Sequence, residues 1–156
     1  MNNPILKVKC DLYLIRYLET LYGVQPIRFP NGNKFNTFIH FNLRMPNSYT
    51  QEPDYGEETL LLEIPDFKSY DVNKYCSFSE RVQEIFREQI RSHFSLTFET
   101  EMTHILLMQV RRRRKHAIEL WMIKYNIPEE SWDMLQKKFQ RFLPLGFKCK
   151  VNKESV

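Results

Sequence analysis

Only four glycines, Gly23, Gly32, Gly56 and Gly146, occur in the 156 residues, and they stand far apart. Phosphate-cradling loops of the G-x-G-x-x-G and G-x-x-x-x-G-K-[ST] types need glycine where backbone amides approach a phosphate closely, so neither is present. Most nucleotide-dependent enzyme folds are excluded with them. The chain is otherwise 42% hydrophobic and 14% aromatic, which suffices for the core of one domain or two small ones and excludes wholesale disorder.

Hydropathy periods divide the chain into short elements. Leu6, Val8 and Cys10 alternate with Lys7 and Lys9, as in a half-buried strand, and Leu12, Leu14, Ile15, Leu18 and Leu21 then recur at helical spacing. Asp11 stands at the cap position of that helix and Gly23 at its end. Pro26-Ile27-Arg28-Phe29-Pro30 reads as extended, Asn31-Gly32-Asn33 as a turn, and Phe35, Phe38, Ile39 and Leu43 as a short helix. Residues 45–58, with two prolines, a glycine and four acids, read as an exposed loop. Thr59 to Ile64 is an apolar run ended by Pro65 and is assigned as a strand. Ser77-Phe78-Ser79-Glu80 has the form of a capping box. It leads into one helical face of Val82, Ile85, Phe86, Ile90 and Phe94, and a further helical segment carries Phe98, Met102, Ile105, Leu106 and Val110. The fold class expected is α+β, a small N-terminal sheet with a mainly helical C-terminal half.

Charge is distributed unevenly. Residues 1–110 hold 11 basic and 14 acidic side chains, whereas residues 111–156 hold 12 and 5, so the net +4 conceals −3 on an acidic α+β body and +7 on a basic helical end. Such asymmetry suggests a polyanionic partner. The run Arg111-Arg112-Arg113-Arg114-Lys115 sweeps more than a full helical turn, so it cannot lie on one face. It is either a phosphate-binding ridge or a solvated turn balanced by the acidic half.

The basic end carries two amphipathic helices joined at Asn126-Ile127-Pro128. Asn126 tolerates the left-handed conformation that ends a helix, Pro128 suits the first position of the next, and Glu129 and Glu130 complement its dipole. Trp121, Tyr125, Ile127, Trp132 and Leu135 share the apolar spacing of a helix-turn-helix, with Asn126 in place of the turn glycine. Met122 and Trp132 depart from the motif's usual residue types, and Glu129, Glu130 and Asp133 put carboxylates where the second helix would meet bases. A plain helical hairpin has the same spacing. If the hairpin folds back, Arg111 to Lys115 approach Lys137, Lys138 and Arg141, and with Lys124, Lys148 and Lys150 form one basic surface. Trp121, Trp132, Phe139, Phe142 and Phe147 either stack on bases or, as helical stripes usually do, form core.

Catalytic signatures are lacking. The histidines His40, His93, His104 and His116 have no Cys or His at metal-ligand spacing, and no G-x-S-x-G elbow or kinase signature occurs. Glu52, Asp54, Glu57 and Glu58 offer the carboxylates that Mg²⁺ takes, but a Pro- and Gly-punctuated loop usually carries acids for solubility. The three cysteines, Cys10, Cys76 and Cys149, read as reduced thiols. No signal peptide and no apolar stretch of membrane-spanning length is seen, so a cytoplasmic protein is expected.

The segments Lys7-Val8-Lys9-Cys10-Asp11-Leu12-Tyr13-Leu14, Leu62-Glu63-Ile64-Pro65, Ala117-Ile118-Glu119-Leu120 and Tyr125-Asn126-Ile127 resemble small accessory proteins, without an assigned activity, of prophages and other mobile elements of gut bacteria. The resemblance implies a regulatory or nucleic-acid role in a bacterial cytoplasm. Together these readings lead to a non-enzymatic DNA-binding protein without cofactor or metal, contacting phosphates through Arg111, Arg112, Arg113, Arg114, Lys115, Lys124, Lys137, Lys138 and Arg141. The alternative is an adaptor or oligomerisation module that engages an acidic protein or a second copy. A Mg²⁺-dependent nuclease using residues 52–58 ranks last.

Overall fold

The computed structural model describes residues 3–46, 55–68, 71–108 and 114–142. It is an α+β protein: β1 (Ile5–Lys9), α1 (Leu12–Tyr22), α2 (Lys34–Asn42), β2 (Thr59–Glu63), α3 (Glu80–Met108), α4 (Arg114–Lys124) and α5 (Trp132–Phe142), with single 3-10 turns at Gly56–Glu58 and Glu129–Ser131. Two compact units divide within α3, Met1–Arg91 and Ser92–Val156. The charge boundary expected between residues 110 and 111 lies outside the described residues, as do Arg111, Arg112, Arg113, Phe147, Lys148, Lys150 and the loop acids Glu52 and Asp54. Among the described residues, no helix is long and apolar enough to cross a membrane.

In the first unit, β1 and β2 pair antiparallel with Leu6 opposite Leu62 and Val8 opposite Leu60. The alternation read from the sequence is physical: Leu6, Val8, Leu60 and Leu62 are buried, while Ile5, Lys7 and Lys9 face solvent. Ile27 adds a parallel bridge to Leu62. The Gln25–Pro26 peptide bond, one residue before Ile27, is cis. In the same unit, Phe29, Phe35, Phe78 and Phe86 form an aromatic core with centroids 5.0 Å (Phe29–Phe35), 5.8 Å (Phe35–Phe86) and 5.7 Å (Phe78–Phe86) apart.

Three local expectations are corrected. Asp11 stands at the N-cap of α1, but its side chain makes no cap hydrogen bond; its carboxylate meets Arg91 Nη2 of α3 at 3.1 Å instead. The cap of α3 is Ser79, whose Oγ accepts from the Val82 amide at 3.2 Å, whereas Ser77 pairs through its backbone with Arg44. A capping box starting at Ser77 is therefore misplaced by two residues, and its reciprocal Glu80 contact does not arise. Pro128, expected inside the last helix, precedes it as the cap of the Glu129–Ser131 turn, with extended ψ of 146°.

The two expected helical segments after residue 80 are one helix. No glycine or proline intervenes between Pro65 and Pro128, and Phe86, Ile90, Phe94, Phe98 and Met102 are buried at strict intervals of four. A step of four residues advances the buried line by about 40°. Ile85, one of the expected face residues, is exposed.

Candidate nucleic-acid interface

The second unit is built around Trp121. Its indole lies edge-on to Phe94 at 5.2 Å and to Phe98 at 4.9 Å, and it packs on Tyr125 at 4.5 Å. Ala117, Ile118, Met122, Ile127, Leu135 and Phe139 complete the core. Trp121 and Phe139 are thereby committed to packing, while Trp132 and Phe142 are half-buried. The base-stacking role considered for this stripe is not open to its two buried rings.

The junction between α4 and α5 is a Schellman turn. Asn126 adopts φ 51°, its amide donates to the Ile123 carbonyl at 3.2 Å, and the Ile127 amide donates to the Met122 carbonyl at 2.9 Å. Met122 and Ile127 are both buried, which supplies the apolar contact that accompanies this motif. The sequence signal at Asn126 therefore specified the turn correctly.

Glu101 of α3 gathers three donors from α4 and its end. Oε2 accepts from Trp121 Nε1 at 2.7 Å, and Oε1 accepts from Tyr125 OH at 2.6 Å and from Lys124 Nζ at 3.1 Å. Sequence inspection missed Glu101. The available signal was an i, i+4 Trp-Tyr pair on an apolar face, since both side chains carry a polar tip that needs an acceptor when buried.

The basic residues fall into two groups. Lys124 is neutralised by Glu101, and Lys115 faces Glu119 on its own helix at 4.0 Å. Lys137, Lys138 and Arg141 occupy the C-terminal part of α5 and make no ion pair with any described carboxylate. Arg141 lies four residues from Lys137 and three from Lys138, the spacing of neighbours on a helix surface. Lys138 Nζ donates to Ser95 Oγ of α3 at 2.7 Å. Partial burial holds its pKa below the ordinary lysine range; Glu99 opposes that shift and the positive charge of Arg141 adds to it. Arg114 opens α4.

At the other end of α5, Glu129, Glu130 and Asp133 are exposed in its first turns. The helix thus runs from an acidic start to a basic end, which complements its dipole. Of the loop acids, Glu57 and Glu58 lie exposed in the 3-10 turn before β2. Among the described residues, no group of three His, Cys, Asp or Glu side chains is arranged to hold a metal ion. No protein-family model matches the chain, and no curated protein or solved structure matches it significantly.

Proposed function

We propose that this is a non-enzymatic nucleic-acid-binding protein of the cytoplasm that grips DNA phosphates through the basic end of α5. The observation that carries the reading is the contrast between Lys115 and Lys124, which face carboxylates within 4.0 Å, and Lys137, Lys138 and Arg141, which form no such ion pair with a described carboxylate, although Glu99 acts on Lys138 from farther away. The helix dipole favours cations at this end, yet three of them within two turns repel one another. A phosphate removes that repulsion and releases counterions as it binds. The exposed acids at the start of α5 disfavour insertion of that end into a major groove, so contact runs along the backbone rather than to base edges. The proposed contact set keeps the basic run Arg111 to Arg114, of which residues 111–113 lie outside the described residues.

Fluorescence anisotropy with a labelled duplex tests it. Binding should weaken steeply with salt, and replacing Lys137 and Arg141 together by Ala should lower the slope of log K against log salt by about 2, near 0.9 per phosphate contact. Absence of binding at about 50 mM salt, where phosphate contacts are strongest, overturns the reading. Plasmid cleavage dependent on Mg²⁺ overturns its non-enzymatic part.

A second reading, an adaptor or self-association surface, is favoured by Ile123, which is 75% exposed on α4 beside Lys124. It requires a concentration-dependent dimer in sedimentation that Ile123→Lys abolishes.

A further inference from the structure

The acidic body contains a segment of opposite character. From Thr20 to Gln51 the chain has no Asp or Glu, while it carries Arg28, Lys34, His40 and Arg44. Helix α2 lies inside this segment. It buries Phe35, Asn36 and Ile39, so that Lys34, Thr37 and Phe41, three and four residues apart, form its exposed face. Arg28 is engaged by Glu63 at 3.7 Å, but neither Lys34 nor Arg44 has an ion pair among the described carboxylates.

Phe41 is the most exposed aromatic described, at 77%. Its ring lies nearly parallel to His40, at 5.0 Å and 22°, and His40 is stacked in turn with Phe67 at 4.4 Å and 14°. The ring is thus held in place by stacking rather than by burial. Beyond the C-cap of α2, the Arg44 backbone is fixed by reciprocal hydrogen bonds with Ser77 at 2.8 and 3.1 Å, while its side chain is exposed. An ordered, open aromatic ring thereby stands, in chain order, between Lys34 and Arg44, two cations that lack an ion pair with a described carboxylate, in a segment free of carboxylates. The Lys34 ammonium lies 5.2 Å from the Phe35 ring centroid. Lys34 precedes Phe41 by about 10 Å of helix rise.

We propose that the outer face of α2, formed by Lys34, Phe41 and the adjoining Arg44, binds single-stranded nucleic acid, with an unpaired base stacked on Phe41 and flanking phosphates on Lys34 and Arg44. A base within a duplex already has both faces covered, so only an unpaired one offers a free face to the ring. An apolar protein partner would leave the two cations without counter-charge, whereas a polynucleotide supplies a phosphate on each side of the base. This surface differs from the phosphate grip of α5 in reading the base itself.

Anisotropy of labelled dT20 and rU20 with the full chain tests it. Phe41→Ala is expected to weaken binding about tenfold, in line with the loss of one base–aromatic stack, and to leave the salt slope unchanged because stacking releases no counterions. Phe41→Leu should behave like Phe41→Ala, since it retains apolar bulk but no ring. Lys34→Ala with Arg44→Ala should lower the salt slope by about 1.4, from about 0.7 per phosphate on a single strand. Phe41→Trp should retain binding and show fluorescence quenching on titration, after subtraction of the wild-type signal from Trp121 and Trp132. The Phe41→Ala effect should persist on a background of Lys137→Ala and Arg141→Ala, which separates this face from α5. Wild-type affinity in Phe41→Ala, an unquenched Phe41→Trp, no wild-type binding to either strand, or a dimer that Phe41→Ala dissociates would each overturn the proposal.

Discussion

Trp121 Nε1 and Glu101 Oε2 are joined by a 2.7 Å hydrogen bond, and the same carboxylate receives the hydroxyl of Tyr125. Both aromatic residues are only 2% exposed, so their polar tips have little access to water once Glu101 is removed. Glu101→Leu should destabilise the protein by about 2–3 kcal/mol, the cost of leaving the buried Trp121 donor unpaired and removing the acceptor of the Tyr125 hydroxyl. Glu101→Gln, which keeps one acceptor oxygen, should cost about 1 kcal/mol. Urea unfolding followed by tryptophan fluorescence measures both, and equal effects for the two substitutions would refute the argument.

Asn126 carries the left-handed backbone of the Schellman turn at φ 51°. Asn126→Gly relieves the steric cost of that conformation and should be neutral or stabilising by up to about 1 kcal/mol, whereas Asn126→Val should destabilise by about 1–2 kcal/mol. Thermal unfolding of the two variants should therefore shift in different directions or by clearly different amounts.

Cys10 is buried, and burial pushes its thiol from an ordinary value of 9.0 up to about 12, with Asp11 adding to the rise and Arg91 and Arg87 opposing it. Iodoacetamide at pH 8 should therefore label Cys76, which is half-buried, and spare Cys10 in the native protein. The fold favours the protonated thiol. Its contribution is complete below the unfolded value near 9 and declines as pH rises through about 12, by up to about 1.4 kcal/mol per pH unit. Cys10→Ala abolishes that dependence, so the stability gap between wild type and variant should narrow between pH 9 and 11.

The Asp11–Arg91 pair at 3.1 Å joins the β1–α1 junction to α3, and Arg91 also meets Glu88. With the side chains 43% and 38% exposed, solvent screens the attraction. A double-mutant cycle with Asp11→Ala and Arg91→Ala should return a coupling of about 0.5–1 kcal/mol that shrinks at high salt. A coupling unaffected by 1 M salt would contradict the ion-pair account.

Where periodicity and turn chemistry act over a few residues, the sequence was informative. The alternation at Leu6 and Val8, the stop at Gly23 and the left-handed Asn126 all depend on nearest neighbours, and each stands where expected. Asp11 and Ser79 show why other details escaped. Both are good capping residues, but Asp11 is drawn away by Arg91, a residue 80 positions distant, and the true start of α3 depends on Ser77 pairing with Arg44. The candidate site was legible as a set of charges but not as a set of partners. Nothing in the local pattern distinguishes Lys124, which meets Glu101, from Lys138, which meets Ser95. Phe41 falls outside the apolar set Phe35, Phe38, Ile39 and Leu43 in the sequence, but the stacking of its ring on His40, and of His40 on Phe67, joins residues that no local pattern connects.

The three successive leucines of β2, Leu60 to Leu62, are the kind of short apolar strand that recruits other chains when its edge is open. Here β1 runs along one edge. On the other, the Gln25 side chain accepts from the Leu61 amide at 2.7 Å, the Ile27 amide donates to the Leu61 carbonyl at 2.9 Å, and the Ile27 carbonyl accepts from Glu63 at 2.9 Å. The extended Pro-flanked segment thus acts as a guard against intermolecular strand addition. A sheet of only two strands can thereby carry a leucine triplet without becoming a template for aggregation.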